Sequence, residues 1–475
     1  MSARRLRVRT LLLALTVAPA GWAGAQSFDE WQRDPLNAMP SRLTDGSMAP
    51  ASCLQHKDLA QPIVLEDAVD LSLCHNPQVQ AAWAAIKQQA AALGVARAAY
   101  LPTMQASLGR LRTRTAYPGG DLPVISETGT TVSAGVSWRL FDFGGRSANE
   151  ALARQSLAAA LATHDATLQN VLNDVVQAYF NALTAQAALS AANQGSAVAQ
   201  ATLDSARRRE NNGAAAHSDV LQAQTVLAKD ALAASRSEGD LNKALADLRY
   251  AMGLPDMLPL RLAAPTDPGA RDEAADVQAL QWWMATARAR HPAIVAARAQ
   301  YEATLGQVAV ARSEGLPTVD LSADHYRNGY PGQGLAPSRT QINTVSISVT
   351  IPLFEGFMRG YKIRGAQAQA EQSEAQLKQT EQQVLRDVVK AHADTLAALH
   401  NLTVSRALVS AADESLAASQ RRYDKGAGDI VELLSAQEAV AEAAQERVRC
   451  LSDWRSSRLH LLASIGNLGI DEIAP

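Results

Sequence analysis

The sequence predicts a mainly α protein with a β-barrel portion: an internally duplicated chain of long coiled-coil helices that carries four transmembrane strands. The duplication is the first observation. Tyr117-Pro118-Gly119 recurs 213 residues later as Tyr330-Pro331-Gly332, and the same offset carries Leu140-Phe141-Asp142 onto Leu353-Phe354-Glu355, Gly213 onto Gly426, Ala223-Gln224 onto Ala436-Gln437, and Gly253 onto Gly466. Five matches in one order mark a duplicated half-molecule, since the unit is far longer than any solenoid repeat. The second observation is a helical run over 146–211 without proline, matched by a run over 359–425. The third is strict alternation of apolar and polar residues for about ten residues, once in each half, which is the length a tilted strand needs to cross a bilayer.

The chain opens with Arg4, Arg5, Arg7 and Arg9, an apolar run from Leu11 to about Ala20, and Ala23-Gly24-Ala25. This reads as a secretory signal, residues 1–25, cleaved before Gln26. Its apolar stretch is short of the roughly 20 residues of a membrane helix, and Gln26 in place of a cysteine argues against a lipid anchor. The whole chain holds 44 Lys and Arg against 47 Asp and Glu; without the four signal arginines the balance falls to −7. An acidic chain is a poor partner for nucleic acid. No later stretch is long and apolar enough for an inner-membrane helix, so any membrane segment must be built of strands.

An N-terminal extension, 26–64, precedes the first repeat, 65–254. Cys53 and Cys74 lie close together here, and an exported chain favours a disulfide between them. Cys53, His56, Cys74 and His75 would alternatively offer four zinc ligands, at a spacing that matches no standard finger. Cys450 reads as a small apolar helix residue.

Each repeat then runs helix, strand, Gly/Pro loop, strand, long helix, short break, helix. In the first, a helix from Pro77 leads to strands 103–116 and 130–141. Val132, Ala134, Val136, Trp138 and Leu140 alternate with Thr131, Ser133, Gly135, Ser137 and Arg139. Helices 146–211 and 217–253 follow. Within the first of them Leu172, Val176, Tyr179 and Leu183 fall four and three apart, which gives one apolar stripe. Such a rod would be about 100 Å long at 1.5 Å per residue and must pack lengthwise on other rods. Its alanine-rich stretches favour helix and close approach. After a Pro-rich, acidic linker, 255–276, the second repeat, 277–468, supplies strands 318–327 and 341–353 and helices 359–425 and 430–465. There Val345, Ile347, Val349 and Ile351 alternate with Thr344, Ser346, Ser348 and Thr350. A tail, 469–475, closes the chain. Four strands cannot cover their own edges in lipid, so transmembrane strands require several copies of the chain in one barrel; a soluble sandwich with one buried face shows the same alternation.

Glycines mark the breaks. Gly144, Gly145 and Gly356 stand where strand becomes helix, a turn that often needs positive φ. Gly213 and Gly426 stand where each long helix reverses, as helix C-caps do. No phosphate loop, nucleophile elbow or HExxH stretch is present, and the nine histidines are scattered. The expectation is a protein that is not an enzyme and needs no cofactor or resident metal.

From about Leu65 to Leu468 the chain resembles the TolC-like outer membrane efflux and secretion proteins. The resemblance rests on the duplication, on Ala99-Tyr100-Leu101-Pro102 and Gly315-Leu316-Pro317 opening the first strands, and on Leu140-Phe141-Asp142-Phe143-Gly144-Gly145 and Leu353-Phe354-Glu355-Gly356 closing the second. Arg422-Tyr423-Asp424-Lys425-Gly426 and Leu433-Leu434-Ser435-Ala436-Gln437 complete it. It implies a homotrimer in which four strands per chain make a twelve-stranded barrel in the Gram-negative outer membrane, continued by a helical tunnel through the periplasm. It further implies a periplasmic adaptor, meeting the tip near Gly213 and Gly426, and an inner-membrane ABC exporter or proton-driven pump. In such proteins a tyrosine and an acid hold the periplasmic entrance shut; Tyr423 and Asp219 occupy those positions. A closing arginine of some members would fall at Gly428, so this chain lacks it there, and Arg421 or Arg422 are the candidates to substitute. Acids lining the constriction match Glu432 and Ser435, which leaves one ring of three carboxylates favouring cations. The absence of an anchor cysteine and the Cys53–Cys74 pair lean the reading toward type I protein secretion. Drug or metal efflux is the alternative, and a periplasmic coiled-coil scaffold or adhesin is an alternative of a different class.

Overall fold

The structure is a computed structural model that describes residues 42–43, 46–47, 62–116, 119, 124–213, 216–255, 260–263, 278–328, 340–425 and 427–467. All lie within one compact unit, Pro40–Pro475. The expected signal, Cys53, most of the linker, Gly426 and the tail lie outside the described residues.

Strands β1 (Arg42–Leu43) and β2 (Gly46–Ser47) form a minimal antiparallel pair. The first repeat holds α1 (Leu65–His75), α2 (Pro77–Ala98), β3 (Thr103–Thr115), β4 (Ile125–Phe141), α3 (Gly145–Asn211) and α4 (His217–Met252). The second repeats the order as α5 (Leu280–Arg290), α6 (Pro292–Ser313), β5 (Thr318–Arg327), β6 (Gln341–Thr350), α7 (Met358–Asp424) and α8 (Ile430–Ser464). The two long helices, α3 and α7, each have 67 residues. No described helix is long and apolar enough to cross a membrane.

The helix starts repeat as well. Pro77 and Pro292 occupy the first helical position, where the missing N–H costs nothing. Asn76 Oδ1 accepts from Gln78 N at 2.8 Å, and His291 Nδ1 accepts from Ala293 N at 3.2 Å. Against these junctions dock the ends of the returning helices. Gly253 and Gly466 sit at φ 71° and 73°. A Cβ on Gly253 would lie 2.6 Å from the His75 carbonyl oxygen, and one on Gly466 2.3 Å from Pro292 Cδ.

The rods are held lengthwise. α3 packs on α2, α4, α6 and α8, and α7 packs on α5, α6 and α8. Leu168, Val171, Leu172, Val175, Val176, Tyr179 and Phe180 of α3 bury against Leu248 and Met252 of α4 and Leu459 of α8. The equivalent core of the second repeat joins Trp283 and Ile294 to Val384, Val388, Leu461 and Ile465. At the far end of the rods, Leu203, Ala206, Val220, Tyr423, Ile430 and Leu433 bring both hairpins into one cluster. The described part of the linker joins the main core: Leu260 and Leu262 are buried there, and Ile63 N donates to Arg261 O at 2.8 Å.

Candidate functional site: the open sheet and the helix tip

The four long strands form one antiparallel sheet in the order β3-β4-β5-β6. Its register sorts the side chains into two faces. Met104, Ala106 and Leu108 stand opposite Val136, Ala134 and Val132; Val136 and Trp138 stand opposite Ala323 and Leu321; Val319, Leu321 and Ala323 stand opposite Val349, Ile347 and Val345. One face is therefore apolar across all four strands, and it is exposed: Met104 81%, Leu108 76%, Val345 76%. The other face carries Gln105, Ser107, Ser133, Ser137, Ser322 and Ser346, an ion pair of Arg139 with Asp320 at 2.9 Å, and Asp324. Among the described residues β3 and β6 pair on one side only, so both edges of the sheet keep unpaired backbone groups.

Strand β4 begins at Ile125, five residues earlier than the alternation predicts. Ser126, Glu127, Thr128 and Gly129 are paired to β3 but offer no apolar alternate to read. Strand β6 ends at Thr350 rather than at residue 353.

Strand passes to helix through two successive left-handed residues in each half. These are Phe143 (φ 51°) with Gly144 (φ 96°), and Gly356 (φ 60°) with Phe357 (φ 64°). Gly145 has no positive φ; it begins α3, with Ser313 Oγ 3.2 Å and Asp142 Oδ2 3.3 Å from where its Cβ would be. Arg146 fixes the first turn, its Nη1 and Nη2 donating to the Arg139 and Leu140 carbonyls at 2.7 and 3.1 Å and its Nε to Asp142 at 3.1 Å. Arg359, 213 residues on, donates from Nη1 and Nη2 to the Gly315 and Arg312 carbonyls at 2.9 and 3.0 Å. Sequence reasoning passed over both arginines, although the repeat offset aligns them. Exposed Phe141 and Phe143 stack edge to face in one half, as Phe354 and Phe357 do in the other.

At the tip, Gly213 ends the α3 turn at φ 71°, its N donating to Glu210 O at 2.8 Å. Tyr423 is buried at 7% exposure, beneath the Arg209 guanidinium at 4.5 Å, and Arg209 Nη1 donates to the Tyr423 carbonyl at 3.2 Å. Glu432 accepts from Arg422 Nη1 at 2.7 Å and from Ser419 Oγ at 3.4 Å. Asp219, on the first turn of α4, accepts from Ser218 Oγ at 3.3 Å. No hydrogen bond joins it to Tyr423 within this chain among the described residues.

The repeat explains the difference. Arg209 and Arg422 are equivalent positions, as are Asp219 and Glu432. Arg422 pairs with its own acid, whereas Arg209 crosses from α3 to the second repeat and leaves Asp219 without a cation among the described residues. Arg209 escaped sequence reasoning; its signal is the run Arg207-Arg208-Arg209 in the last turn of α3, where cations suit the helix dipole. Gly428 is confined, since a Cβ there would lie 2.9 Å from Tyr423 N. Ser435 is exposed on α8. Lys229 bridges to Glu438 between α4 and α8. Higher on the rods, Cys74 is disulfide-bonded, while Cys53, its expected partner, lies outside the described residues. Cys450 is free and buried, and burial pushes its thiol up.

Comparison with known proteins adds the lineage. The family described as outer membrane efflux protein matches residues 68–254 and 283–467, one segment in each repeat. The chain is 36% identical to Protein CyaE of Bordetella pertussis over 98% of this chain and 96% of that one. It is 26% identical to Outer membrane protein TolC of Escherichia coli, over 74% of this chain and 72% of that one. Identity is also 26% to Alkaline protease secretion protein AprF of Pseudomonas aeruginosa, over 84% of each. Among solved structures, the Campylobacter jejuni CmeC outer membrane channel superposes with TM-score 0.75 at 18% identity, covering 92% of each chain.

Proposed function

Since the chain belongs to the outer membrane efflux protein family, and is thus an outer membrane efflux or secretion channel reaching into the periplasm, we propose that three copies share one barrel and export a polypeptide as the last component of a type I secretion assembly. The observation that carries this reading is the open sheet. It has one apolar face and two unpaired edges, which lipid does not tolerate; joining β3 of one copy to β6 of the next satisfies both edges and turns the apolar face outward. Twelve strands then enclose a polar lumen lined by Gln105, Ser133, Ser322 and their neighbours.

The rods continue this wall into the periplasm and end at the tip, where Gly213 and the α7–α8 turn offer the contact for an adaptor protein, itself coupled to an inner-membrane ABC exporter. The duct performs no catalysis: its work is to be wide, polar inside and able to open. Arg209 over Tyr423 and Arg422 on Glu432 tie the tip within one copy, and releasing them widens the entrance. The polypeptide cargo is supported by the likeness to PrtF of Dickeya chrysanthemi and to AprF, whose names place them in protease secretion.

The test is a deletion strain. Loss of one or more polypeptides from the culture medium, with sensitivity to small toxicants unchanged, is the expected result. Heightened drug or metal sensitivity with an intact set of secreted proteins would assign the chain to efflux instead, and no change in either would return it to a scaffold role.

A further inference from the structure

We propose that the distal outward rim of the sheet, built from Arg110, Arg112, Arg114 and Arg327, binds the phosphorylated headgroups of outer-leaflet lipid. The inference rests on the reading of the sheet as part of a membrane barrel.

The register puts all four arginines on the apolar side. Arg110, Arg112 and Arg114 stand opposite Thr130, Thr128 and Ser126 and continue the β3 row of Met104, Ala106 and Leu108 away from the helices, while Arg327, opposite Val132, follows Leu321, Ala323 and His325 on β5. All four are exposed, and none pairs with an acid among the described residues. The charges of the sheet are segregated. Its three acids, Glu127, Asp320 and Asp324, all lie on the polar face. Edge pairing with a second copy would bring β6 beside β3, and on the apolar side its distal positions are Asn343 and Gln341, which are uncharged. Among the described residues, these four cations thus have no acid on their side of the sheet to neutralise them.

Their depth matches a headgroup layer. The apolar row on β4 runs from Phe141 to Val132, nine steps of about 3.3 Å each, or roughly 23 Å of height at a strand tilt near 40°, against the apolar band of about 25 Å typical of such barrels. The aromatic pairs Phe141–Phe143 and Phe354–Phe357 mark the helix-side boundary, where amphipathic or aromatic side chains gather. The arginines begin where the band ends on the opposite side. The outer leaflet of this membrane is built of phosphorylated glycolipid, and arginine is the side chain whose planar fork holds phosphate by two bonds. Alternate residues on β3 lie about 7 Å apart, so neighbouring arginines can grip phosphates of one headgroup or of two.

The experiment titrates full-length, detergent-purified protein with bis-phosphorylated lipid A and reads bound lipid by native mass spectrometry. The variant Arg110→Gln/Arg112→Gln/Arg114→Gln should bind about a hundredfold more weakly, the loss expected for three interfacial cations. The corresponding triple lysine variant should retain most of the affinity, and a fully dephosphorylated lipid should bind wild type no better than it binds the glutamine variant. If the triple glutamine variant does not fold, Arg112→Gln alone is read, with about a fivefold loss expected. Equal affinity of wild type and the glutamine variants overturns the proposal, as does equal binding of the dephosphorylated lipid. Inorganic phosphate binding as tightly as the lipid would show a free-anion site and overturn the lipid assignment. A nitroxide on Leu108→Cys separates the two levels: accessible to oxygen from acyl chains, it upholds the barrel reading even if lipid A binding is unaffected; accessible only to aqueous relaxants, it sinks both.

Discussion

His291 caps α6 with an unprotonated Nδ1, beside a cavity of about 300 Å³ that Asp387 and His460 also line. Burial pushes its pKa down to about 4 despite the pull of Asp387 in the opposite direction. In the unfolded chain it titrates near 6.5, so the unfolded state binds more protons between the two values. Its contribution is therefore complete above pH 6.5 and is lost as pH falls toward 4, amounting to about 3 kcal/mol across that window. His291→Asn places there the residue that caps α2 and should flatten this slope in thermal unfolding at pH 7 and pH 5; an unchanged slope would assign the acid sensitivity elsewhere. Gly253 makes a sharper demand. Its left-handed φ and the His75 carbonyl oxygen 2.6 Å from a virtual Cβ predict that Gly253→Ala costs on the order of 2 kcal/mol, read as a lowered unfolding temperature. At the tip, Arg209→Gln with Arg422→Gln should raise single-channel conductance, since both ties that hold Tyr423 and Glu432 would be gone. Unchanged conductance would show that the entrance is held by other contacts. The positions of Tyr423, Asp219 and Glu432 came from motif resemblance, yet the cation that covers Tyr423 did not. A side chain's choice between two neighbours, Asp219 or Tyr423, depends on which helix packs against it, and no local pattern encodes that.

At the scale of elements, the long helices and strands were legible because each has a period and each occurs twice. The 213-residue offset fixed both rods to their last turns, and the alternation from Val132 and from Val345 marked the membrane face. The first residues of β4 were not legible, since Ser126 to Gly129 pair outside the apolar band and need no hydrophobic alternate. Phe143 and Phe357 were missed for another reason: positive φ in an aromatic residue is imposed by the turn between two fixed elements, with Arg146 tying the start of α3 to the end of β4 and Arg359 tying the start of α7 to the end of α6, and not by its own preference. The sheet makes its own prediction. Ile347→Lys, on the apolar face, should cost about 2–4 kcal/mol per chain in lipid and deplete membrane-assembled protein, while Ser346→Lys on the polar face should assemble. Equal assembly of the two would mean that the face assignment is inverted.

At the scale of the whole molecule, one chain does not satisfy its own surface. An exposed apolar face and two bare edges are unsatisfied in isolation, and rods about 100 Å long gain their burial only lengthwise, from neighbours. Duplication answers both needs economically, because two similar halves build a near-repeating wall from few distinct parts. The central claim is that copies of this chain close into a conducting duct. It is tested most directly by determining the mass of the detergent-purified protein and its conductance in planar bilayers on the same sample. Trimeric particles that open small, cation-preferring channels are the predicted result; a monomer that inserts without conducting would contradict the account at the step from open sheet to shared barrel.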